Sequence, residues 1–138
     1  MSIFNRAALK SKSLGQLGEE YGQKIYKSKG YKILGANIFN RRGKRMGEID
    51  FIAVGRRDIA FVEVKTRSQE NNKFGNIREA VDEFKQFKIL KVVKLFLIKN
   101  QYYRKLRPHI DILSIIWPDI DKKPEKVILS SNAVEDTF

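Results

Sequence analysis

The stretch GEIDFIAVGRRDIAFVEVKTR, residues 47–67, contains the strongest structural signal in this sequence. Two apolar runs flank the polar segment GRRD, and this pattern predicts a β-hairpin. If the turn closes symmetrically, residues whose numbers sum to 113 face each other. Asp50 then lies directly opposite Glu63, and like charges on facing strands destabilise a sheet unless something compensates them.

Strand alternation also predicts which residues of the hairpin point the same way. On the first strand, Ile49, Phe51 and Ala53 should share a core face. On the opposite face, Asp50, Glu63 and Lys65 lie among apolar residues, which are Ile52, Val54, Ile59 and Phe61. A helix is therefore expected to cover part of the face that carries Asp50, Glu63 and Lys65.

The facing carboxylates have three possible explanations: one acid is protonated, a neighbouring Lys or Arg neutralises the pair, or a divalent cation lies between them. The same register places Lys65 opposite Glu48, so a ladder of ion pairs on an exposed face would also explain the charges. The partial helix cover favours a functional site instead.

A magnesium site fits these residues. Mg²⁺ takes oxygen ligands, retains several waters and is usually held by one or two carboxylates, so Asp50 and Glu63 suffice. Lys65, one strand step from Glu63, could orient a water or stabilise developing negative charge. The pattern is that of a site for phosphodiester hydrolysis.

Length and composition limit the fold and the compartment. A chain of 138 residues with 42% hydrophobic residues can form one core and is short for two domains. We expect a single domain over residues 1–138, with a core at about 13–131 and a flexible N-terminal dozen residues and C-terminal tail.

The chain lacks Cys, which excludes disulfides and thiolate metal sites. No signal peptide or membrane span is apparent, so a cytoplasmic location is expected.

The charge of the chain favours a polyanionic partner. Lys and Arg number 28 against 16 Asp and Glu, which gives a net charge of +12 and a pI near 10.0. Nucleic acid, an anionic membrane and acidic proteins would all be attracted by such a field. We expect nucleic acid, with DNA favoured, and no membrane.

The rest of the sequence predicts an α/β fold in which a mixed β-sheet is flanked by helices. Periodicity predicts a helix at 13–29, ended by Gly30, and a long helix from 77 to about 99 that crosses over between strands. Further strands are expected at 31–39, 109–117 and, as a short edge strand, 126–131.

Several segments together resemble a known nuclease core. GEIDFIA followed by FVEVKTR resembles the PD-(D/E)XK nucleases and, with GQLGEEYG before it and HIDILSI after it, resembles more closely the YraN-like family of small proteins classed as endonucleases. The resemblance covers most of the chain. It implies a restriction-endonuclease-like PD-(D/E)XK core, related to archaeal Holliday-junction resolvases, and Mg²⁺-dependent cleavage of nucleic acid, with Mn²⁺ as a substitute.

The resemblance also implies roles for individual residues. Asp50 and Glu63 would be metal ligands, Lys65 the catalytic lysine, and Glu19 the acid that the first helix contributes to the site. The neighbouring Glu20 is an alternative to Glu19, which is favoured because it directly follows Gly18, as in the Gly-Glu pair of the family. The proline that gives the superfamily its name is replaced by Ile49, as in YraN-like sequences. Glu48 shares the face of Asp50 and is interpreted as a supporting residue.

The contacts to nucleic acid are expected from basic residues in the loop after the first strand, at the end of the hairpin and on the long helix: Arg41, Arg42, Lys44, Arg45, Arg67, Lys85 and Lys88. An alternative function is a non-catalytic nucleic-acid-binding module on the same scaffold, and a third is a basic ribosome-associated protein. By analogy with resolvases a homodimer is expected, which light scattering would test. His109 and Asp111 are assigned no catalytic role, and packing is favoured over base stacking for Tyr102 and Tyr103.

Overall fold

The computed structural model describes residues 12–36, 49–69 and 83–134. These residues form two α-helices, five strands and one 3₁₀-helix. In chain order the elements are α1 (Leu14–Ser28), β1 (Lys32–Ala36), β2 (Phe51–Val54), β3 (Asp58–Arg67), α2 (Glu83–Lys99), the 3₁₀-helix (Gln101–Lys105), β4 (Arg107–Ile116) and β5 (Lys126–Ala133).

The strands form one mixed sheet in the order β1-β2-β3-β4-β5. Three neighbouring pairs are antiparallel, and β3 and β4 are parallel. A parallel pair needs a crossover connection, and α2 lies in the segment that joins β3 to β4. The prediction of a mixed sheet with the long helix as crossover is confirmed.

The first helix begins and ends as its sequence predicts. Ser13 caps the N-terminus reciprocally with Gln16: the Gln16 N–H donates to Ser13 Oγ at 3.1 Å, and the Ser13 N–H donates to Gln16 Oε1 at 2.9 Å. After the helix, Gly30 has a φ of 93°, a backbone conformation that costs glycine little. The chain can therefore turn directly into β1.

Two glycines allow α1 to approach the sheet closely. A Cβ at Gly22 would lie 3.0 Å from Leu113 Cδ2, and one at Gly18 would overlap the hydroxyl of Thr66 and lie 2.9 Å from Thr66 Cβ. Both glycines are buried. Their lack of a side chain lets the helix backbone pack directly on β3 and β4.

We expect Gly18→Ala to lower the free energy of unfolding by about 1–3 kcal/mol, because the added methyl group overpacks a site where the β-branched Thr66 has little freedom to move. Gly15→Ala is the matched control. A Cβ there meets only Ser13 Oγ, at 3.9 Å, so better helix propensity should stabilise the protein by up to about 1 kcal/mol. Urea denaturation measures both; equal effects of the two substitutions would contradict the close packing at Gly18.

The two helices cover opposite faces of the sheet. One apolar cluster joins α1 to the residues of one face, among them Phe51, Ala53, Ala60, Val62, Leu113 and Ile115. The other joins α2 to the opposite face, including Ile52, Ile59, Phe61 and Ile112. Because Ile59 and Phe61 face α2, alternation places Glu63 and Lys65 on that face too.

The hairpin has the predicted register over β2, where Phe51 faces Val62 and Val54 faces Ile59. At Asp50 the register changes, because its N–H donates to the carbonyl of Val62 at 2.8 Å. Asp50 and Phe51 therefore both face Val62, as in a β-bulge. The prediction that Asp50 lies directly opposite Glu63 is wrong for the same reason.

The expectation that Ile49 shares a face with Phe51 is consequently wrong. Ile49 packs with Ile52 in the α2 cluster, while Phe51 packs in the α1 cluster. A bulge adds one residue to a strand, and the alternation beyond it is reversed.

The remaining predicted helices and strands are found at the predicted positions, but their ends differ from the prediction. Helix α2 is described from Glu83, so the predicted first turn from residue 77 lies outside the described residues, as do residues 37–39 of the first predicted strand. The edge strand β5 runs to Ala133 and is longer than predicted. None of the helices in the described parts of the chain is long and apolar enough to cross a membrane.

Candidate functional site

Asp50 is fixed to β3 by two hydrogen bonds. It directly precedes β2 and is only 3% exposed. Besides the bond from its N–H to Val62, its Oδ2 accepts a hydrogen bond from the Val64 N–H at 2.7 Å. Since that nitrogen belongs to the peptide that joins Glu63 to Val64, the Asp50 carboxylate lies beside the backbone of Glu63.

Glu63 and Lys65 form a partly buried ion pair. Lys65 Nζ lies 3.7 Å from Glu63 Oε1, and the side chains are 15% and 6% exposed, respectively. This distance is an ionic contact but too long for a direct hydrogen bond. Of the three explanations for two neighbouring carboxylates, the structure therefore provides a neighbouring cation, and the spacing leaves room for a bridging water.

The two carboxylates fit a small hard cation by their chemistry. Both are buried oxygen donors on adjacent strands, and Mg²⁺ in proteins is commonly held by one or two carboxylates and several waters. Within residues 12–36, 49–69 and 83–134, no group of three Asp, Glu, His or Cys side chains is arranged to hold a metal. The structure thus offers two protein ligands, Asp50 and Glu63.

Glu19 is half-buried on α1 and follows Gly18, which packs on Thr66. The helix thereby brings Glu19 to the same end of β3 as Lys65. Among the described residues, Glu19, Asp50 and Glu63 do not form a three-residue group arranged to hold a metal. Glu48 lies outside the described residues.

Two of the predicted basic contacts have described side chains. Arg67 is exposed at the end of β3, where it donates to the Thr66 carbonyl at 3.0 Å, and Lys88 is exposed on α2. Lys85 lies on α2. The four basic residues of the loop after β1, Arg41, Arg42, Lys44 and Arg45, lie outside the described residues.

Sequence reasoning missed a buried hydroxyl next to the lysine. Ser114 is the register partner of Lys65 on β4 and is 0% exposed. Its Oγ has no hydrogen-bond partner among the described residues, which is uncommon for a buried polar atom. A serine inside an apolar strand carries no sequence signal that distinguishes it from an ordinary core residue.

A second buried polar cluster lies where β3 and β4 begin, and we call it the His109 network. His109 Nε2 lies 2.7 Å from Asp58 Oδ2, and His109 Nδ1 lies 2.6 Å from Asp111 Oδ1. Tyr31 donates to Asp58 Oδ2 at 2.5 Å; Tyr26 donates to Asp111 Oδ2 and Ser131 to Asp111 Oδ1, both at 2.5 Å. The network joins α1, β3, β4 and β5, so the contacts of His109 link four elements of the fold.

The contacts of the network favour a charged His109. Its hydrogen bond with Asp111 raises the pKa of His109 above 6.5, and the bond with Asp58 adds to this against the effect of burial. Burial alone would raise the pKa of Asp111, but hydrogen bonds from His109, Ser131 and Tyr26 lower it below 3.8. Burial and the bond to Asp58 raise the pKa of Tyr31 to about 12. Both ring nitrogens of His109 thus contact carboxylate oxygens, and the raised pKa of His109 favours the protonated ring.

Comparison with known proteins identifies relatives over most of the chain. Residues 18–115 match the model of a family described as "Uncharacterised protein family UPF0102". A UPF0102 protein of Caldanaerobacter subterraneus is 37% identical over 118 residues, which are 86% of this chain and 87% of the relative.

Other relatives carry the same description. A UPF0102 protein of Alkaliphilus oremlandii is 42% identical over 91 residues, covering 66% of this chain and 73% of the relative. One of Fusobacterium nucleatum is 38% identical over 109 residues, covering 77% and 86%. The matched region includes both strands of the hairpin, α2 and nearly all of β4, and the chain therefore belongs to the UPF0102 family, the family of the YraN-like proteins.

Proposed function

We propose that this protein is a metal-dependent endonuclease that hydrolyses phosphodiester bonds in DNA, with branched or otherwise structured DNA as its substrate class. The observation that carries the proposal is the arrangement of Asp50, Glu63 and Lys65. Asp50 and Glu63 are both buried, the Asp50 carboxylate accepts a hydrogen bond from the Val64 N–H next to Glu63 at 2.7 Å, and the Lys65 ammonium lies 3.7 Å from Glu63. Buried charges are costly, and such groupings are frequent at catalytic sites.

The order of the elements supports a nuclease scaffold of the PD-(D/E)XK type. A hairpin presents an acid before its first strand and the Glu-x-Lys triplet on its second strand, and a helix packs on each face of the sheet. The net charge of +12 supports a polyanionic substrate, because it attracts phosphates over long range.

Each residue of the site has a definite role in this proposal. Asp50 and Glu63 hold Mg²⁺, for which Mn²⁺ can substitute, and the backbone N–H of Val64 fixes the Asp50 carboxylate. When bound, the ion polarises a phosphoryl oxygen and lowers the pKa of a bound water. Lys65 orients the attacking water or stabilises the charge that develops on the phosphate. Glu19, at the same end of β3, assists from α1.

The test is cleavage of branched, flapped and linear DNA by the purified full-length chain, with Mg²⁺, with Mn²⁺ and with EDTA. We expect cleavage with either ion and none in EDTA. Mg²⁺ should also raise the melting temperature, because a ligand at ten times its Kd stabilises the folded state by about 1.4 kcal/mol. Asp50→Ala should abolish both effects.

The outcomes separate this proposal from the alternatives. Cleavage that is unchanged in Asp50→Ala would indicate a contaminating nuclease and overturn the assignment. DNA binding without cleavage or any response to metal would instead support a non-catalytic nucleic-acid-binding module. Preference for RNA, again without a metal response, would support ribosome association.

A further inference from the structure

A group of exposed cations lies at the end of the sheet opposite the carboxylate site. The β2–β3 turn, the end of α2, the 3₁₀-helix and the start of β4 meet there, and the Arg107 N–H donates to the Arg57 carbonyl at 2.9 Å. We call this group the turn patch, and its six exposed cations are Arg56, Arg57, Lys99, Arg104, Lys105 and Arg107.

The acidic residue that adjoins the turn on β3 does not neutralise the patch. Asp58, which adjoins the turn, accepts a hydrogen bond from Tyr31 and contacts the His109 ring. Its charge is therefore engaged by the His109 network below the surface. The cations of the patch are exposed, and their positive charge attracts a partner that carries anions.

The patch also presents an aromatic ring that is largely exposed, although its edge contacts Tyr103 with ring centroids 5.3 Å apart. Tyr102 is 70% exposed, whereas its neighbour Tyr103 is half-buried and stacks on Phe96 with ring centroids 6.0 Å apart. Lys105 Nζ lies 4.0 Å from the centroid of the Tyr102 ring. The favoured packing role thus agrees with the contacts of Tyr103, but the contacts of Tyr102 leave most of its ring in solvent.

We propose that the turn patch binds a single-stranded segment of nucleic acid, with one unpaired base stacked on Tyr102 and its phosphates contacting the surrounding cations. An exposed aromatic ring among cations is the arrangement by which proteins bind single strands without sequence preference. A duplex offers phosphates to the cations but no free base face to the ring. This inference rests on the proposed function only for its ligand class, nucleic acid.

The position of the patch relates it to the carboxylate site. Strand β3 runs from Asp58, beside the patch, to Glu63, five residues later, which at about 3.3 Å per residue is about 17 Å. That length corresponds to about five base pairs at 3.4 Å each. A junction between duplex and single strand would therefore extend from the carboxylate site to the turn patch.

The test measures binding without catalysis. Fluorescence anisotropy in EDTA compares a labelled oligothymidine of about 20 nucleotides with a blunt duplex of equal length. We expect Tyr102→Ala to weaken single-strand binding about 10-fold and duplex binding less than 2-fold, because only the single strand loses stacking. Tyr102→Phe should bind both ligands as the wild type does.

Charge variants provide a second measurement. Lys105→Ala should weaken binding of both ligands and reduce the slope of log K against log salt concentration by about 0.7 on the single strand. Lys24→Ala, which removes an equally exposed cation from the middle of α1, is the matched control and should leave the slope unchanged. Melting temperatures of all variants should stay near that of the wild type, since both side chains are exposed.

Each result is decisive. Equal single-strand binding by Tyr102→Ala and wild type, or a loss in Tyr102→Phe as large as in Tyr102→Ala, would overturn the stacking proposal. A wild-type protein that binds neither oligonucleotide would overturn this proposal, whereas the nuclease proposal is decided separately by the cleavage assay with Mg²⁺. Binding that depends on Tyr102 in a protein that never cleaves DNA would retain this inference while the catalytic proposal fails.

Discussion

Asp50→Asn and Glu63→Gln should each reduce metal-dependent DNA cleavage about 1,000-fold, because each removes one negative ligand from a two-carboxylate site and with it the ion that polarises the phosphate. The substitutions nearly preserve shape. An Asn side-chain oxygen can still accept the hydrogen bond from the Val64 N–H that Asp50 accepts at 2.7 Å. The change therefore tests charge rather than folding.

Lys65→Met should separate ion binding from catalysis. It retains the long apolar stem of the side chain and both carboxylates, so Mg²⁺ should still raise the melting temperature. Cleavage should nevertheless fall by at least 100-fold, because the ammonium that lies 3.7 Å from Glu63 is gone. In Asp50→Asn and Glu63→Gln, by contrast, the thermal shift should disappear together with the activity.

A matched control is Glu125→Gln, which removes an exposed carboxylate just before β5. It should retain both the cleavage rate and the Mg²⁺-induced shift. Single-turnover cleavage rates and thermal melts with and without Mg²⁺ measure all four variants. Full cleavage by Glu63→Gln would rule out the two-carboxylate site.

His109→Gln should lower the free energy of unfolding by about 3–5 kcal/mol, the cost of removing one partner from a buried ion pair. The substitution leaves Asp111, which is 1% exposed, and Asp58 without the cation that lies between them. In a domain of this size the melting temperature should fall by about 10 °C.

The wild-type stability should depend on pH in a defined direction. The folded-state pKa of His109 is raised above 6.5, so its contribution is complete below that pH and is lost as pH rises through the folded pKa. The pKa of Asp111 is lowered below 3.8, so its contribution is present above that value and is lost as pH falls through the folded pKa. Both contributions are therefore present between about pH 4 and pH 6.5.

His109 is the only histidine of the chain, and cysteine is absent. The His109→Gln variant therefore isolates the part of the pH dependence near neutral pH that a side chain causes. Urea titrations from pH 5 to pH 9 should show wild-type stability falling with rising pH, and His109→Gln should flatten that slope. The difference between the two proteins should be smallest at high pH. A variant with the wild-type slope would show that the histidine is not charged in the folded state.

Most of the fold follows from local sequence patterns. The GRRD turn and the strands on either side determined the register in which Phe51 faces Val62, and the apolar stripe of α2 indicated the crossover. Such features depend on residues close together in sequence, for which turn propensity and periodicity are informative.

The geometry of the carboxylate site was only partly predictable, because it depends on the irregular backbone at Asp50. The candidate residues Asp50, Glu63 and Lys65 came from the alternation pattern. The bulge at Asp50 places its carboxylate against the Val64 N–H. It could not be predicted in this way, because strand alternation assumes that each residue of a strand has one partner on the neighbouring strand.

The His109 network could not be deduced for a different reason. Its members are brought together by tertiary structure: His109 and Asp58 are separated by 51 residues, and Tyr26 and Asp111 by 85. Likewise, the adjacent Tyr102 and Tyr103 are chemically identical in sequence, and only the packing of Tyr103 on Phe96 distinguishes them.

The parallel pairing of β3 with β4 has a consequence for how the protein is made. Strand β3 leaves the ribosome before its neighbour β4, and the chain from Asp58 to His109, a sequence separation of 51 residues, takes about 3–10 s to translate at 5–20 residues per second. For that interval the nascent hairpin has an apolar strand edge with no neighbour. Premature termination anywhere before β4 should therefore yield fragments that depend on chaperones to stay out of aggregates.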